Sequence, residues 1–99
     1  MTTKRRDRRE RERAAGKIVR ARERLAHLET GGAPEQPIDV VSASVVETHA
    51  RSLPCPSCEG AVRVDEHAVE GGLRVARTAC TRCGKRRNVW FRLRPPLVQ

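Results

Sequence analysis

The sequence has few aromatic residues and no long apolar run. Its 99 residues include one Phe, one Trp and no Tyr, and 37% are hydrophobic while 33% are charged. No stretch approaches the ~18–20 apolar residues of a membrane span, and no apolar stretch follows the charged N-terminus as in a secretory signal. We therefore expect a small protein of the cytoplasm, a reducing compartment. We also expect no enzyme, because a substrate pocket of roughly 300–1,000 Å³ needs more apolar wall than so short a chain offers.

Acidic residues are also scarce relative to basic ones. The chain has 21 Lys and Arg against 12 Asp and Glu, a net charge of +9. Residues 1–30 carry 11 bases and 5 acids, residues 31–54 carry 1 and 3, and residues 55–99 carry 9 and 4. The basic character therefore belongs to the two ends of the chain, and it indicates a polyanionic partner.

Residues 4–29 contain no proline and end at Thr30-Gly31-Gly32, which predicts one helix with a glycine stop. Gly16 weakens it, so the helix should be firmer over 17–29 and should fray over 1–13. One side carries an apolar seam with heptad-like spacing, formed by Ala14, Ile18, Ala21, Leu25 and Leu28. Two interpretations remain open. The helix is either a basic arm that lies along nucleic acid, or an interaction helix whose seam docks on the rest of the chain, a second copy or a larger assembly. We favour a docking helix with a frayed basic end.

The rest of the chain predicts strands. Residues 31–37 have the composition of a linker, and the β-branched segment 38–50 is compatible with one or two strands. Three further strands are expected at 61–65, 73–79 and 88–94. Glu70-Gly71-Gly72 is the expected hairpin tip between the first two, and residues 95–99 form a tail after the last.

Two C-x2-C pairs, Cys55-Pro-Ser-Cys58 and Cys80-Thr-Arg-Cys83, are the strongest signal in the sequence. A two-residue spacer lets both thiolates of a pair reach one ion, and four thiolates close a tetrahedral Zn²⁺ shell. A closed shell leaves no position for water or substrate, so we expect a structural zinc bound by all four cysteines. Disulfides, a dithiol redox site and an iron–sulfur centre are the rival interpretations.

The cysteine pattern, the hairpin between the pairs and the following aromatic-bearing strand together resemble a zinc ribbon. Zinc ribbons occur in transcription factors, RNA polymerase subunits and ribosomal proteins, and the resemblance covers residues 54–94. It implies a small α+β protein: a four-cysteine ribbon of about three antiparallel strands preceded by a basic helix. Many ribbons have glycine directly after each second cysteine. Gly84 fits that pattern, whereas Glu59 stands at the first such position and Gly60 follows it.

One narrower resemblance can be tested on the residues. Transcript-cleavage elongation factors carry an acidic Asp-Glu pair at the tip of the ribbon hairpin. Here Asp65-Glu66 precedes the expected tip, so we expect the pair on the ascending strand, as ordinary surface acids.

Basic residues are concentrated at the second C-x2-C loop, here called the second knuckle, and on the strand after it. Together with one aromatic side chain they form a candidate phosphate-binding patch. The full set of candidate nucleic-acid contacts is Arg5, Arg6, Arg8, Arg9, Arg82, Lys85, Arg86, Arg87, Trp90 and Arg92. Two other interpretations apply. Trp90 can cover a core that is short of large side chains, and some of the knuckle bases can stabilise the thiolates.

These features favour a non-enzymatic zinc-binding module that binds nucleic acid or a transcription or ribonucleoprotein complex. We expect no membrane and no small-molecule partner. The alternative is a protein–protein adaptor that uses the helix seam, and a weaker alternative is a thiol or zinc redox sensor. We expect residues 1–13 to contribute more to polyanion binding than the knuckle bases do.

Overall fold

The structure, a computed structural model, describes the backbone of residues 2–95 and the side chains of residues 6–95. Two helices and four strands follow one another along the chain, with one 3₁₀ turn at Ala43–Val45 before the second helix. The elements are α1 (Thr2–Leu28), β1 (Ile38–Val40), α2 (Val46–Ser52), β2 (Val62–Glu70), β3 (Leu73–Cys80) and β4 (Arg86–Leu93). No helix among the described residues has the length and apolarity to cross a bilayer. The side chain of Arg5 and residues 96–99 of the expected tail lie outside the described part.

The four strands form one mixed sheet in the order β1-β4-β3-β2. β2, β3 and β4 are antiparallel neighbours, whereas β1 pairs parallel with β4, from Ile38 opposite Phe91 to Val40 opposite Leu93. The sequence predicted about three antiparallel strands, and the structure adds a fourth strand, β1, that pairs parallel with β4. The added strand forms because Ile38 and Val40 both face the core side of the sheet, while Asp39 faces the other side and accepts a hydrogen bond from Arg92 at 2.9 Å.

The second half of the 38–50 segment is helical, and the expectation of a strand there is wrong. Within this segment only residues 38–40 form a strand, and α2 begins at Val46. Val46 and Ala50, one helical turn apart, are fully buried against the sheet. Burial of these two positions outweighs the β propensity of the valines because α2 supplies the cover that this face of the sheet needs. The core cluster consists of Val40, Val46, Ala50, Ala76, Val89 and Phe91.

The hairpin between β2 and β3 turns at Gly71 and Gly72, as expected from the sequence. Both glycines have positive φ, 56° and 79°, which a tight two-residue turn requires. The strands are longer than expected, and a bulge interrupts the pairing between Val64 and Glu66. Glu66 lies opposite Arg77 in the middle of β2, so the Asp65-Glu66 pair lies away from the tip.

Helix α1 joins the sheet only near its C-terminal end, and the molecule is elongated, 73 × 22 × 21 Å. Ala26 is buried, and the Gly31 carbonyl accepts a 2.8 Å hydrogen bond from the Trp90 N–H at the edge of β4. A side chain at Gly32 would overlap the Ala26 carbonyl. The segment expected to be a linker thus begins as a tight turn packed against β4, with residues 31–33 buried.

Candidate metal centre and basic surfaces

The two cysteine pairs form two loops of matching backbone geometry, which we call the first knuckle (residues 55–60) and the second knuckle (residues 80–85). In the first, the Glu59 N–H donates to the Cys55 carbonyl at 2.8 Å and the Cys55 N–H donates to the Gly60 carbonyl at 3.0 Å. In the second, the Gly84 N–H donates to the Cys80 carbonyl at 3.1 Å and the Cys80 N–H donates to the Lys85 carbonyl at 2.9 Å. The pattern repeats bond for bond, so each knuckle presents two sulfurs from one short loop.

The four cysteine sulfurs converge on one point. All four Sγ atoms lie within 4.8 Å of one another, with Cys55–Cys83 at 3.7 Å and Cys58–Cys80 at 3.4 Å. A tetrahedron with Zn–S bonds of ~2.3 Å has sulfur–sulfur edges of about 3.8 Å, whereas a disulfide bond is only ~2.05 Å long. These distances fit a tetrahedral ion and are too long for disulfide bonds, so the geometry is consistent with the four-cysteine metal centre expected from the sequence. Four thiolates suit zinc and also other thiophilic ions.

Backbone N–H groups, hydrogen bonds between the sulfurs and burial give the thiols of the cluster unequal pKa values. The N–H of Cys83 lowers the pKa of Cys80 to about 6, against burial and with help from the N–H of Arg82; the N–H to Sγ distances are 3.4 and 3.3 Å. The Gly60 N–H also lowers the pKa of Cys58, but hydrogen bonding with Cys80, burial and the other thiols outweigh it and raise that pKa to about 11. Four thiolates so close together would need a cation among them, and a divalent metal ion would supply that charge.

Glu23 of α1 connects the helix to both knuckles. Its carboxylate accepts a 2.7 Å hydrogen bond from the Ser57 hydroxyl in the first knuckle and a hydrogen bond from the Lys85 ammonium at the end of the second. Those two hydrogen bonds, Lys85 first, hold the pKa of Glu23 below its ordinary value. The Glu23 hydrogen bond also raises the pKa of Lys85, with smaller contributions from the charges of Cys83 and Cys55. The orientation of α1 is thus tied to the metal centre.

A second contact holds the C-terminal end of α1. Arg87 is half-buried, and its Nη2 lies 3.5 Å from the Ala26 carbonyl, one of the last carbonyls of the helix. A cation there faces the negative end of the helix dipole. Burial lowers the pKa of the Arg87 guanidinium. The protein covers part of this side chain, so it is less available to a solvent-borne anion than an exposed arginine.

In the structure, some bases of the predicted phosphate-binding patch have partners within the chain and others do not. Lys85 and Arg87 bind α1, and Arg92 donates to Asp39, so three of these bases have partners within the chain. Arg82 and Arg86 are exposed and form no ion pair with any residue in 6–95. Trp90 is half-buried on the sheet face opposite α2 and lies directly across from the fully buried Val75. That position agrees with a covering role for the indole and leaves part of it accessible.

The bases of α1 lie on a face that the sequence analysis did not identify. At about 100° per residue, six of them fall within roughly 80° of the helix circumference. We call this set the cationic stripe: Arg6, Arg9, Arg13, Lys17, Arg20 and Arg24. All six are exposed, and the stripe follows one side of the helix for about 27 Å. Among residues 6–95, Arg6 is the one stripe member with an ion pair, to Glu10 at 3.8 Å.

The spacing 3, 4, 4, 3, 4 between these bases could have identified the stripe from the sequence. Arg6 and Arg9 were among the predicted contacts, and Arg13, Lys17, Arg20 and Arg24 were not. The predicted Arg8 is exposed on another side of the helix, where it pairs with Glu12 at 3.2 Å.

No family model, curated protein or solved structure is significantly similar to this chain. No family is therefore assigned, and the likeness to zinc ribbons rests on the two knuckles and their four sulfurs. What the chain does has to be inferred from the chemistry of its own surfaces.

Proposed function

We propose that this chain is a non-enzymatic nucleic-acid-binding module that is stabilised by zinc. The sheet and its metal centre hold α1, and the cationic stripe of α1 lies along the phosphate backbone. The observation that carries the proposal is the alignment of six exposed bases along one side of a helix that projects from the body.

The dimensions of the stripe suit a polyphosphate. Six cations over about 27 Å run beside about eight phosphates of one strand of B-DNA, which has one phosphate per ~3.4 Å of axis on each strand. Such contacts supply affinity and orientation without reading the base sequence. We therefore expect binding with little sequence preference.

The sheet contributes less to the charge complementarity than the helix does. On the face of the sheet opposite α2, Arg77 pairs with Glu66 and Glu70, and Arg92 pairs with Asp39. A phosphate would have to displace these carboxylates, whereas most bases of the stripe have none to displace. This difference supports a larger contribution to polyanion binding from α1 than from the bases around the second knuckle. The sequence prediction assigned that contribution to residues 1–13, whereas Lys17, Arg20 and Arg24 of the stripe lie beyond them.

The test is the salt dependence of binding to a fluorescein-labelled 20-base-pair DNA duplex, with zinc content verified at one ion per chain. If all six bases contact phosphate, log K should fall against log salt with a slope of about 5, since each contact contributes ~0.9. The triple variant Arg9→Gln/Arg13→Gln/Arg20→Gln should reduce that slope by about 2.7.

A matched control separates the stripe from net charge alone. Arg8, Arg11 and Arg22 are exposed on the other side of the same helix, so Arg8→Gln/Arg11→Gln/Arg22→Gln removes the same charge. This control should reduce the slope by less than ~0.9, the contribution of one phosphate contact. Equal slopes for the two triple variants would show that only net charge matters, and absence of binding at 50 mM salt would refute the proposal. A single-stranded RNA of the same length, run in parallel, shows which nucleic acid is preferred.

A further inference from the structure

The apolar seam of α1 is left uncovered by the fold. Ile18, Leu25 and Leu28 are 54%, 60% and 69% exposed, although they are the largest aliphatic side chains of the helix together with Val19. The side of α1 that meets the body is defined by Glu23 and the buried Ala26. At about 100° per residue the centre of the seam lies roughly 150° away from that side. Of the three alternatives for a docking seam, the rest of the chain is therefore not the partner in this structure, which leaves a second copy or another protein.

The width of the seam distinguishes a protein partner from a lipid surface. An interfacial membrane helix has a broad apolar face, commonly with aromatic residues. Here the apolar positions follow a strict a/d pattern, with Ile18 and Leu25 at a, and Ala14, Ala21 and Leu28 at d. A stripe of this width is what a second helix covers in a coiled coil.

The charges beside the seam decide which kind of helix fits. The flanking e and g positions from 15 to 29 hold three cations, Lys17, Arg22 and Arg24, with Ala15 and Glu29 as the remaining two. All three cations are exposed and unpaired among the described residues.

A second copy of the chain matches these flanks less well than a helix that carries carboxylates does. In a parallel pair Lys17 of one copy faces Arg22 of the other, and Arg24 faces Glu29, so a like-charge contact offsets each opposite-charge contact. In an antiparallel pair the g side with Lys17 and Arg24 meets itself. Like charges at these positions oppose pairing, whereas carboxylates on the partner would complement all three cations.

We propose that the seam is a docking site for an acidic amphipathic helix of another protein, with apolar residues at its a and d positions and Glu or Asp at e and g. The partner helix lies on the outer side of α1, away from the metal centre. Its apolar residues cover Ile18, Leu25 and Leu28, and its carboxylates pair with Lys17, Arg22 and Arg24.

The test uses two synthetic four-heptad peptides that both carry Leu at a and d. One has Glu at every e and g position, and the other has Lys there. Calorimetric titration of the zinc-loaded full chain should show binding of the Glu peptide and at least tenfold weaker binding of the Lys peptide, which corresponds to about 1.4 kcal/mol. Equal binding of the two peptides, or no binding of the Glu peptide at 100 μM, would overturn the proposal.

Variants assign the binding to the seam. Leu25→Ser/Leu28→Ser should weaken binding of the Glu peptide at least tenfold, while Val45→Ser/Val69→Ser, at two other exposed apolar positions, should leave it unchanged. The charge reversal Lys17→Glu/Arg22→Glu/Arg24→Glu should exchange the peptide preference, so that the Lys peptide binds and the Glu peptide does not. All these side chains are exposed, so the fold should survive each change.

The remaining occupants are outcomes that contradict the proposal. Dimerisation of the chain at 50 μM in sedimentation, abolished by Leu25→Ser/Leu28→Ser, would assign the seam to a second copy. Seam-dependent binding to vesicles of anionic phospholipid with no binding of the Glu peptide would assign it to a membrane. Arg9→Gln/Arg13→Gln/Arg20→Gln should bind the Glu peptide like the unmodified chain, so the proposal can fail or hold independently of nucleic-acid binding.

Discussion

The two knuckles have the same backbone hydrogen bonds but different residues at the position after the second cysteine. Gly84 occupies it in the second knuckle with φ 77°, and Glu59 occupies it in the first with φ 62°. This is the left-handed region, which glycine enters freely and a residue with a Cβ enters at a cost of ~1–2 kcal/mol. The first knuckle therefore reaches the geometry of the second in spite of its residue.

The glycine that follows Glu59 has a different role. A Cβ on Gly60 would lie 3.0 Å from the Cβ of Arg82 and 3.2 Å from the sulfurs of Cys58 and Cys80. A Cβ on Gly84 would meet no atom within 4 Å. One knuckle thus needs glycine for space at the metal centre and the other uses it for backbone conformation, although the two loops superficially share one pattern.

The largest effect should come from the feature that the knuckles share, the sulfur cluster and the zinc ion that we propose it holds. Removing the ion, or one ligand by Cys58→Ser or Cys83→Ser, should unfold both knuckles together even though each substitution touches only one. A structural zinc supplies ~10–16 kcal/mol of folding free energy, which is comparable to the ~5–15 kcal/mol of total stability that a domain usually has. Loss of amide dispersion for residues 55–94 in two-dimensional NMR is the measurement.

Ser57→Ala is the matched control for the ligand variants. It lies between the ligands of the first knuckle and should keep the metal, losing only its hydrogen bond to Glu23. A dispersed spectrum after complete chelation would contradict the coupling of metal binding to folding.

The next effect should come from crowding the metal centre through the first knuckle. Gly60→Ala should destabilise the fold by about 1–3 kcal/mol, since the added methyl meets two sulfurs that the ion holds in place. Gly84→Ala should cost only about 1 kcal/mol, from the left-handed backbone. With cobalt(II) bound in place of zinc, Gly60→Ala should shift the visible absorption bands and Gly84→Ala should not. An identical spectrum for both variants would show that Gly60 has no special proximity to the sulfurs.

A smaller effect of opposite sign is expected at Glu59. Replacing it with glycine removes the strain of its positive φ and should stabilise the chain by about 0.5–1 kcal/mol, after the entropy that glycine adds to the unfolded state. Glu59→Gln is the control because it removes the charge and keeps the Cβ. Thermal unfolding of the zinc-loaded variants gives the comparison. If Glu59→Gln stabilises as much as Glu59→Gly, the gain in stability comes from removing the charge. The positive φ at Glu59 would then add no backbone strain that the second knuckle lacks.

The sequence was sufficient for those parts of the fold that depend on local signals. The cysteine spacing indicated the sulfur cluster, and Thr30-Gly31-Gly32 and Gly71-Gly72 marked the end of α1 and the tip of the hairpin, because glycine alone satisfies those turns. The segment after Pro37 could not be predicted in this way. Its valines fit a strand, and only the need to cover Val89 and Phe91 on the sheet makes residues 46–52 a helix.

The basic surfaces show the same division between local and long-range information. The apolar seam of α1 can be predicted from helical spacing, and so can the cationic stripe, because the spacing of its bases is also helical. The partners of Lys85, Arg87 and Arg92 could not be predicted, since Glu23, the Ala26 carbonyl and Asp39 are 53 to 62 residues away in the chain. Which bases remain free for a polyanion is therefore a property of the tertiary structure.

The smallest effect should come from the contact that joins the knuckles through α1. Glu23→Gln replaces the carboxylate that accepts hydrogen bonds from Ser57 and Lys85, and because the group is exposed we expect a slight loss of stability. The folded pKa of Glu23 is lowered, so the contribution of its charge is present above the unfolded pKa and is lost as the pH falls through the folded pKa. The difference in melting temperature between Glu23→Gln and the unmodified chain should thus be constant from pH 8 to about 6, and it should shrink only as the pH approaches ~4.3 and below.

Metal content has to be followed at each pH of that series, because acid also protonates the cysteine ligands. Glu35→Gln, at an exposed position with no ion pair in the described part of the chain, should show no difference at any pH. A Glu23→Gln effect that persists undiminished in 1 M salt would argue against an exposed charge pair with Lys85, which salt screens. Glutamine keeps an oxygen that can accept from the Ser57 hydroxyl, so Ser57→Ala measures that hydrogen bond separately. If Ser57→Ala then costs more stability than Glu23→Gln, α1 is held mainly by the first knuckle, and the two knuckles differ in how they position the helix.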